Sequence, residues 1–117
     1  MLLTKANRKA LPPLYTNEGN ANPTVVVKFF NPCGRSTWYV TEFDGDDLFF
    51  GYVVGEFSPT EDEWGNFSLA ELSSLRVRFG LPIEHDRHFR PQPIGDIVPD
   101  AVPPVDDATP QAIQDRP

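Results

Sequence analysis

Thr37-Trp38-Tyr39-Val40-Thr41-Glu42-Phe43-Asp44-Gly45-Asp46-Asp47-Leu48-Phe49-Phe50-Gly51-Tyr52-Val53-Val54 reads as two strands and the turn that joins them. Over Thr37–Phe43 β-branched and aromatic residues dominate, the composition that suits a pleated, half-buried surface. A period of two puts Thr37, Tyr39, Thr41 and Phe43 on one face and Trp38, Val40 and Glu42 on the other. Asp44-Gly45-Asp46-Asp47 is turn chemistry, and Gly45 accepts a positive φ without steric cost, so the run predicts a hairpin. Leu48–Val54 is apolar on both faces, which marks a central strand covered on two sides. Gly51 leaves room there for a neighbouring aromatic ring.

Upstream, Val25–Phe30 is a further strand, and Asn31-Pro32-Cys33-Gly34 turns the chain towards Thr37. Downstream, Ser58–Glu63 is an acidic loop broken by Pro59, followed by a short strand over Trp64–Phe67. Ser68 and Glu71 have the spacing of a capping box, which opens a helix reaching about Leu75 with Leu69, Leu72 and Leu75 as its inner stripe. Phe79-Gly80-Leu81-Pro82 closes the region in a turn. At the other end, Thr4 caps a helix over Lys5–Ala10 that Pro12 and Pro13 stop. Residues 16–23 form an Asn- and Gly-rich loop.

The fold class is therefore α+β: a small antiparallel sheet of about four strands with two short helices, in one domain over residues 1–90. Residues 91–117 hold seven of the thirteen prolines, five aspartates and no aromatic. Such a composition buries too little apolar surface to offset its ordering entropy, so the segment reads as a disordered or loosely docked tail. Within it, Ile94, Ile97, Val98 and Val102 have the character to dock as an extended strand.

The 117 residues carry a formal charge of −7, and the charge is sorted along the chain. Between Ser36 and Leu75 there are nine carboxylates and no Lys, Arg or His, while the flanks are basic. Direct nucleic-acid binding needs clustered Lys and Arg and is not expected. No apolar run reaches the ~20 residues of a membrane span, and Met1-Leu2-Leu3 is not followed by the apolar stretch of a secretory leader. The single Cys33 allows no internal disulfide and suits a reducing, cytoplasmic setting.

Chemistry is sparse. Glu84-His85-Asp86-Arg87-His88 offers imidazoles and carboxylates, but Pro82 and Pro91 disfavour the helix that would align them, and a zinc site shows three or four ligands at recognisable spacing. Asp44, Asp46 and Asp47 start like a calcium loop, yet Phe49 and Gly55 occupy the positions that need Gly and Glu. Cys33 has no flanking motif that would activate a thiolate. No metal, cofactor or catalytic residue is expected, and the chain reads as a binding protein rather than an enzyme.

The acidic turns are the candidate partner-binding surface: Glu42, Asp44, Asp46 and Asp47 around the hairpin, and Glu61, Asp62 and Glu63 in the loop. In a meander they lie at opposite ends of the Leu48–Val54 strand, two negative knobs that imitate spaced phosphates and suit a basic cleft. The competing reading is a solvated rim, because Asp and Gly are simply good turn formers. Trp38 and Trp64 read as sheet packing before hot spots.

The order Leu11-Pro12-Pro13-Leu14-Tyr15, Val27-Lys28-Phe29-Phe30, Thr37–Gly45, Phe49-Phe50-Gly51, Glu63-Trp64-Gly65-Asn66-Phe67-Ser68-Leu69 and Phe79-Gly80-Leu81-Pro82-Ile83-Glu84 resembles a family of small proteins, domain of unknown function twenty-nine fifty-eight, over residues 3–94. The resemblance implies no particular reaction. It implies a setting on plasmids, integrative elements and phage-derived islands, often beside antirestriction genes. With that setting, the expected function is a non-catalytic acidic inhibitor of a host defence system, of anti-CRISPR or antirestriction type, with DNA mimicry as its expected mode. The expected partner is a host protein that itself handles nucleic acid. The alternative is an accessory module of plasmid or conjugation machinery that binds through a sheet edge.

Overall fold

The computed structural model describes residues 2–103. Helix α1 (Lys5–Ala10) begins at Thr4, whose Oγ1 accepts from the Asn7 N–H at 3.1 Å. Strands β1 (Thr24–Val25), β2 (Val27–Phe30), β3 (Thr37–Phe43), β4 (Leu48–Val54) and β5 (Glu63–Ser68) follow, then helix α2 (Leu69–Ser74), β6 (Glu84–His85) and β7 (Gln92–Pro93). The fold is α+β and every strand pair is antiparallel. The main sheet has five strands in the order β5-β4-β3-β2-β6, and β1 pairs with β7 in a separate two-stranded ladder. The expected strand Val25–Phe30 is thus split at Val26.

Both faces of the sheet are covered, as the two-sided apolar pattern of β4 requires. On one face Val27, Phe29, Val40, Phe43 and Phe49 pack beneath Leu3, Leu11, Leu72 and Ile83, which arrive from the N-terminal segment, α2 and the segment leading to β6. Phe49 lies 4.6 Å from Phe43 and 5.7 Å from Phe29, ring to ring. On the other face Val25 and Tyr52 pack against Ile94 and Ala101, with Tyr39, Trp64 and Val98 at the edge.

The second core corrects the domain boundary. Residues 91–103 are part of the folded body and not a tail: β7, then two turns of 3-10 helix at Ile94–Asp96 and Pro99–Ala101, lid the second face. Ile94 is fully buried and the Trp64 Nε1 donates to the Ala101 carbonyl at 3.1 Å. Prolines fit this segment because it is built from turns and an edge ladder, where a missing N–H costs little. The rest of the expected tail lies outside the described residues.

A bulge between Val40 and Glu42 shifts the β3–β4 register by one residue. A shift of one exchanges the faces of everything beyond it. Phe43 therefore joins Trp38 and Val40 on the first face, against the strict alternation read from the sequence, and Glu42 moves to the opposite one. Gly51 stands opposite the bulge. A Cβ there would run into the Tyr39 carbonyl oxygen, so close backbone approach, and not an aromatic ring, uses its missing side chain. Leu75, expected to face inward, is exposed beyond the end of α2.

Candidate functional site

The meander β3-β4-β5 places the two acidic turns at opposite ends of β4, as the sequence implied. The seven-residue strand separates them by roughly 20 Å. They do not merge into one patch, and the fold already uses most of their carboxylates.

Glu42 is not a surface contact. It is fully buried, and its two oxygens accept the Tyr15 N–H at 2.9 Å and the Asn17 N–H at 2.7 Å. The bulge turned it under the loop that follows Pro13, where it holds the backbone in place, and Tyr15 takes a φ of 70° there. Asp44 stays exposed, but its Oδ1 accepts from the N–H groups of Asp46, Asp47 and Leu48 at 2.8, 2.8 and 3.0 Å. These bonds hold its carboxyl below the usual range. Gly45 has the expected positive φ, 91°.

Asp47 caps α2. Its carboxylate accepts from the Ala70 N–H at 2.7 Å and the Ser68 hydroxyl at 2.6 Å, and its carbonyl accepts the Leu69 N–H. Ser68 in turn accepts from the Glu71 N–H at 3.2 Å, so half of the expected capping box is present and Asp47, from the neighbouring hairpin, supplies the carboxylate. A complete capping box stands in the other acidic loop. There Ser58 caps the 3-10 turn Pro59–Glu61, and Glu61 Oε1 accepts from the N–H groups of Ser58 and Phe57. Asp62 forms a fork with Arg35 at 2.8 Å on each arm and accepts from the Gly55 N–H. The Arg35 guanidinium holds the Asp62 carboxyl low. Asp46 and Glu63 are exposed, so charge at the two knobs persists at these positions, at Asp44 and at Glu61.

The acidic loop borders a feature the sequence reading missed. A groove of about 410 Å³ runs between Cys33, Trp38, Phe57, Leu75, Val77 and Arg78. Its floor is fixed by Glu56, which accepts from Ser36 through both hydroxyl and backbone, at 2.5 and 3.0 Å, and from Asn31 Nδ2 and the Arg35 N–H. These donors, the Ser36 hydroxyl first, push the Glu56 carboxyl down to about 2. Phe57 is 87% exposed at the rim. Next to Arg78, Phe79 is 83% exposed at the tip of a turn, with its own φ at +65° and the Arg78 guanidinium 5.5 Å from its ring. A bulky side chain in that conformation is strained by about 1–2 kcal/mol. Trp38 is half-buried in the groove wall, while Trp64 stacks on Phe50 under the second core's lid, so packing accounts for Trp64 and only in part for Trp38. Two signals in the sequence pointed here: a phenylalanine isolated between Glu56 and Ser58-Pro59, and a phenylalanine where a turn before Gly80 prefers a small polar residue.

Among the described residues no group of three or more His, Cys, Asp or Glu side chains is placed to hold a metal ion. No helix among them is long and apolar enough to cross a membrane.

The family described as protein of unknown function (DUF2958) matches residues 2–97. The chain belongs to this family. The DUF2958 match takes in both acidic turns and the groove, and it ends at Ile97, inside the segment that lids the second core. No curated protein and no solved structure matches the chain.

Proposed function

We propose that this DUF2958 chain is a non-catalytic binding protein that docks a basic host protein through the Phe57–Phe79 groove and the acidic loop beside it. The observation that carries the reading is a pair of almost fully exposed phenylalanines, Phe57 lining the groove and Phe79, on strained backbone, next in sequence to its lining residue Arg78. Exposure and strain both cost folding free energy, and such costs concentrate at surfaces that are covered in use. Aromatic anchors with a charged rim are the usual anatomy of a protein interface. Here the acidic loop that follows Phe57 carries exposed Glu61 and Glu63, so the complementary partner is positively charged, as nucleic-acid-handling proteins are. Service to a mobile element as an anti-CRISPR or antirestriction inhibitor fits that partner, with the Asp44–Asp47 knob as the second arm of a DNA mimic.

The test compares wild type with a Phe57→Ala/Phe79→Ala double variant in affinity capture from host lysate, with bound proteins identified by mass spectrometry. A specific, basic protein held by wild type and lost from the variant is the expected result. An identical set of captured proteins would sink the groove as the docking surface. Charge is best reversed at Asp46 and Glu63, because Lys at Asp44 or Asp47 would break the turn or the cap of α2 and report folding instead.

A second reading has its own observation. Strand β5 ends the sheet, and among the described residues no strand pairs with its outer edge. Such an edge can accept a partner strand, the mode expected of an accessory module of plasmid or conjugation machinery. Neighbouring residues of a strand point their N–H groups to opposite sides, so proline at Gly65 and at Asn66 in turn blocks the outer edge once. Loss of capture by whichever variant keeps its fold favours this reading over the groove.

A further inference from the structure

We infer that the cavity between α1, α2 and β6 binds a small organic oxyanion, a phosphate monoester or carboxylate carried on an apolar body. The cavity holds about 530 Å³ and lies away from the groove above. Its wall has two chemistries. Leu3, Leu69 and Ile83 make an apolar side, and Arg8, Arg87 and His85 bring a cationic and hydrogen-bonding side. In a chain of net charge −7, two guanidiniums from distant segments facing one cavity stand out from the surrounding charge; Glu84 is the acidic residue on the same wall.

A second, independent observation points the same way. His85 Nδ1 is buried and has no hydrogen-bond partner among the described residues. A buried polar atom left unsatisfied costs about 1–3 kcal/mol, and native proteins rarely leave one without a use. The ring is fixed in place: β6 pairs His85 with Phe29, and the two rings meet edge to face at 5.8 Å. Arg8 is positioned as well, with one N–H on the Gly45 carbonyl at 3.2 Å and its guanidinium 5.2 Å from the Phe43 ring. A guanidinium has five donors in a fork that matches a carboxylate or phosphate, so that single bond leaves most of the fork for a ligand. An oxyanion between Arg8 and Arg87 accepts from both beside the His85 ring, while its apolar body takes the leucine side.

Burial and then the charge of Arg87 push the His85 imidazole below its ordinary value, with Asp86 opposing them. A bound anion offsets the charge of Arg87 and favours the protonated imidazole, so its arrival raises the His85 pKa. The chain has two histidines, and exposed His88 serves as an internal reference. The experiment titrates the full chain with phenyl phosphate, benzoate and inorganic phosphate in turn, following both imidazoles by NMR. The expected result is a saturable shift of His85 with a raised pKa, little change at His88, and binding about tenfold weaker in Arg87→Gln. Response to phenyl phosphate or to benzoate alone identifies the anion class, and response to both leaves it as an oxyanion site. The inference is overturned if no probe moves His85 saturably, if both histidines move together, or if Arg87→Gln binds as wild type does. Inorganic phosphate binding as tightly as phenyl phosphate overturns the apolar half of the site.

Discussion

Glu42 shows how one residue changes meaning with register. In the sequence it is one of nine acids in a window without a base; in the fold it is a buried carboxylate holding two backbone N–H groups of the loop after Pro13. Burying a carboxylate is costly unless hydrogen bonds replace its water, and both oxygens here accept one. Glu42→Gln keeps the shape but puts an amide NH₂ where an acceptor is needed. The expected outcome is a loss of about 1–3 kcal/mol, read from the urea midpoint, with early amide exchange at Tyr15 and Asn17. An unchanged midpoint would mean the loop holds itself. Nothing in the local sequence announces this role, because the bulge depends on how β3 meets Gly51, and strict alternation is the only pattern a strand shows on its own. The turn at Asp44–Asp47, by contrast, was legible, since Gly and Asp act through their own backbone preferences. The caps at Thr4 and Ser68 were legible for the same reason.

At the scale of elements, carboxylates do the work that longer loops would otherwise need. Asp47 ties the β3–β4 turn to α2, Asp62 ties the β4–β5 loop to Arg35, and Glu56 ties that loop to the β2–β3 turn. Each joins segments about twenty or more residues apart, which is why local motif reading saw the acids and not their partners. Glu56 has the clearest pH signature. Its folded value of about 2 lies below the ordinary 4.5, so between those values the unfolded chain binds more protons than the folded one. The stability it contributes is whole above pH 4.5 and is lost as pH falls towards 2. Replacing it with Gln should flatten the fall in stability over that window, with Asp44 and Asp62 still contributing to what remains. Equal acid slopes for Glu56→Gln and wild type in denaturant titrations at pH 5, 4 and 3 would show that the donors around Glu56 do not hold its charge.

The whole molecule is a sheet with two cores, and the second is the one composition argued against. Seven prolines after Arg90 suggested a segment too poor in apolar area to fold, and measured as an average it is. What decides the matter is where four apolar residues land. Ile94 and Ala101 are buried, and Ile97 and Val98 pack beside them over Val25, Tyr52 and Trp64. A lid needs only a few contacts when the sheet face beneath is already built, because the strands have met most of the ordering cost. The chain was legible where side chains act locally and illegible where a segment borrows its order from a distant face. Ile94→Ala tests this division. With the side chain fully buried, truncation should cost about 2–5 kcal/mol, as large as a substitution in the Phe29–Phe49 core. If residues 91–103 were only loosely attached, the same change would cost less than about 0.5 kcal/mol, since surface substitutions rarely exceed that. Truncation after Arg90 should go further and expose Trp64 and Tyr52, giving a red-shifted tryptophan emission and a lower thermal midpoint. Wild-type emission and midpoint in that truncation would return residues 91–103 to the status of a tail.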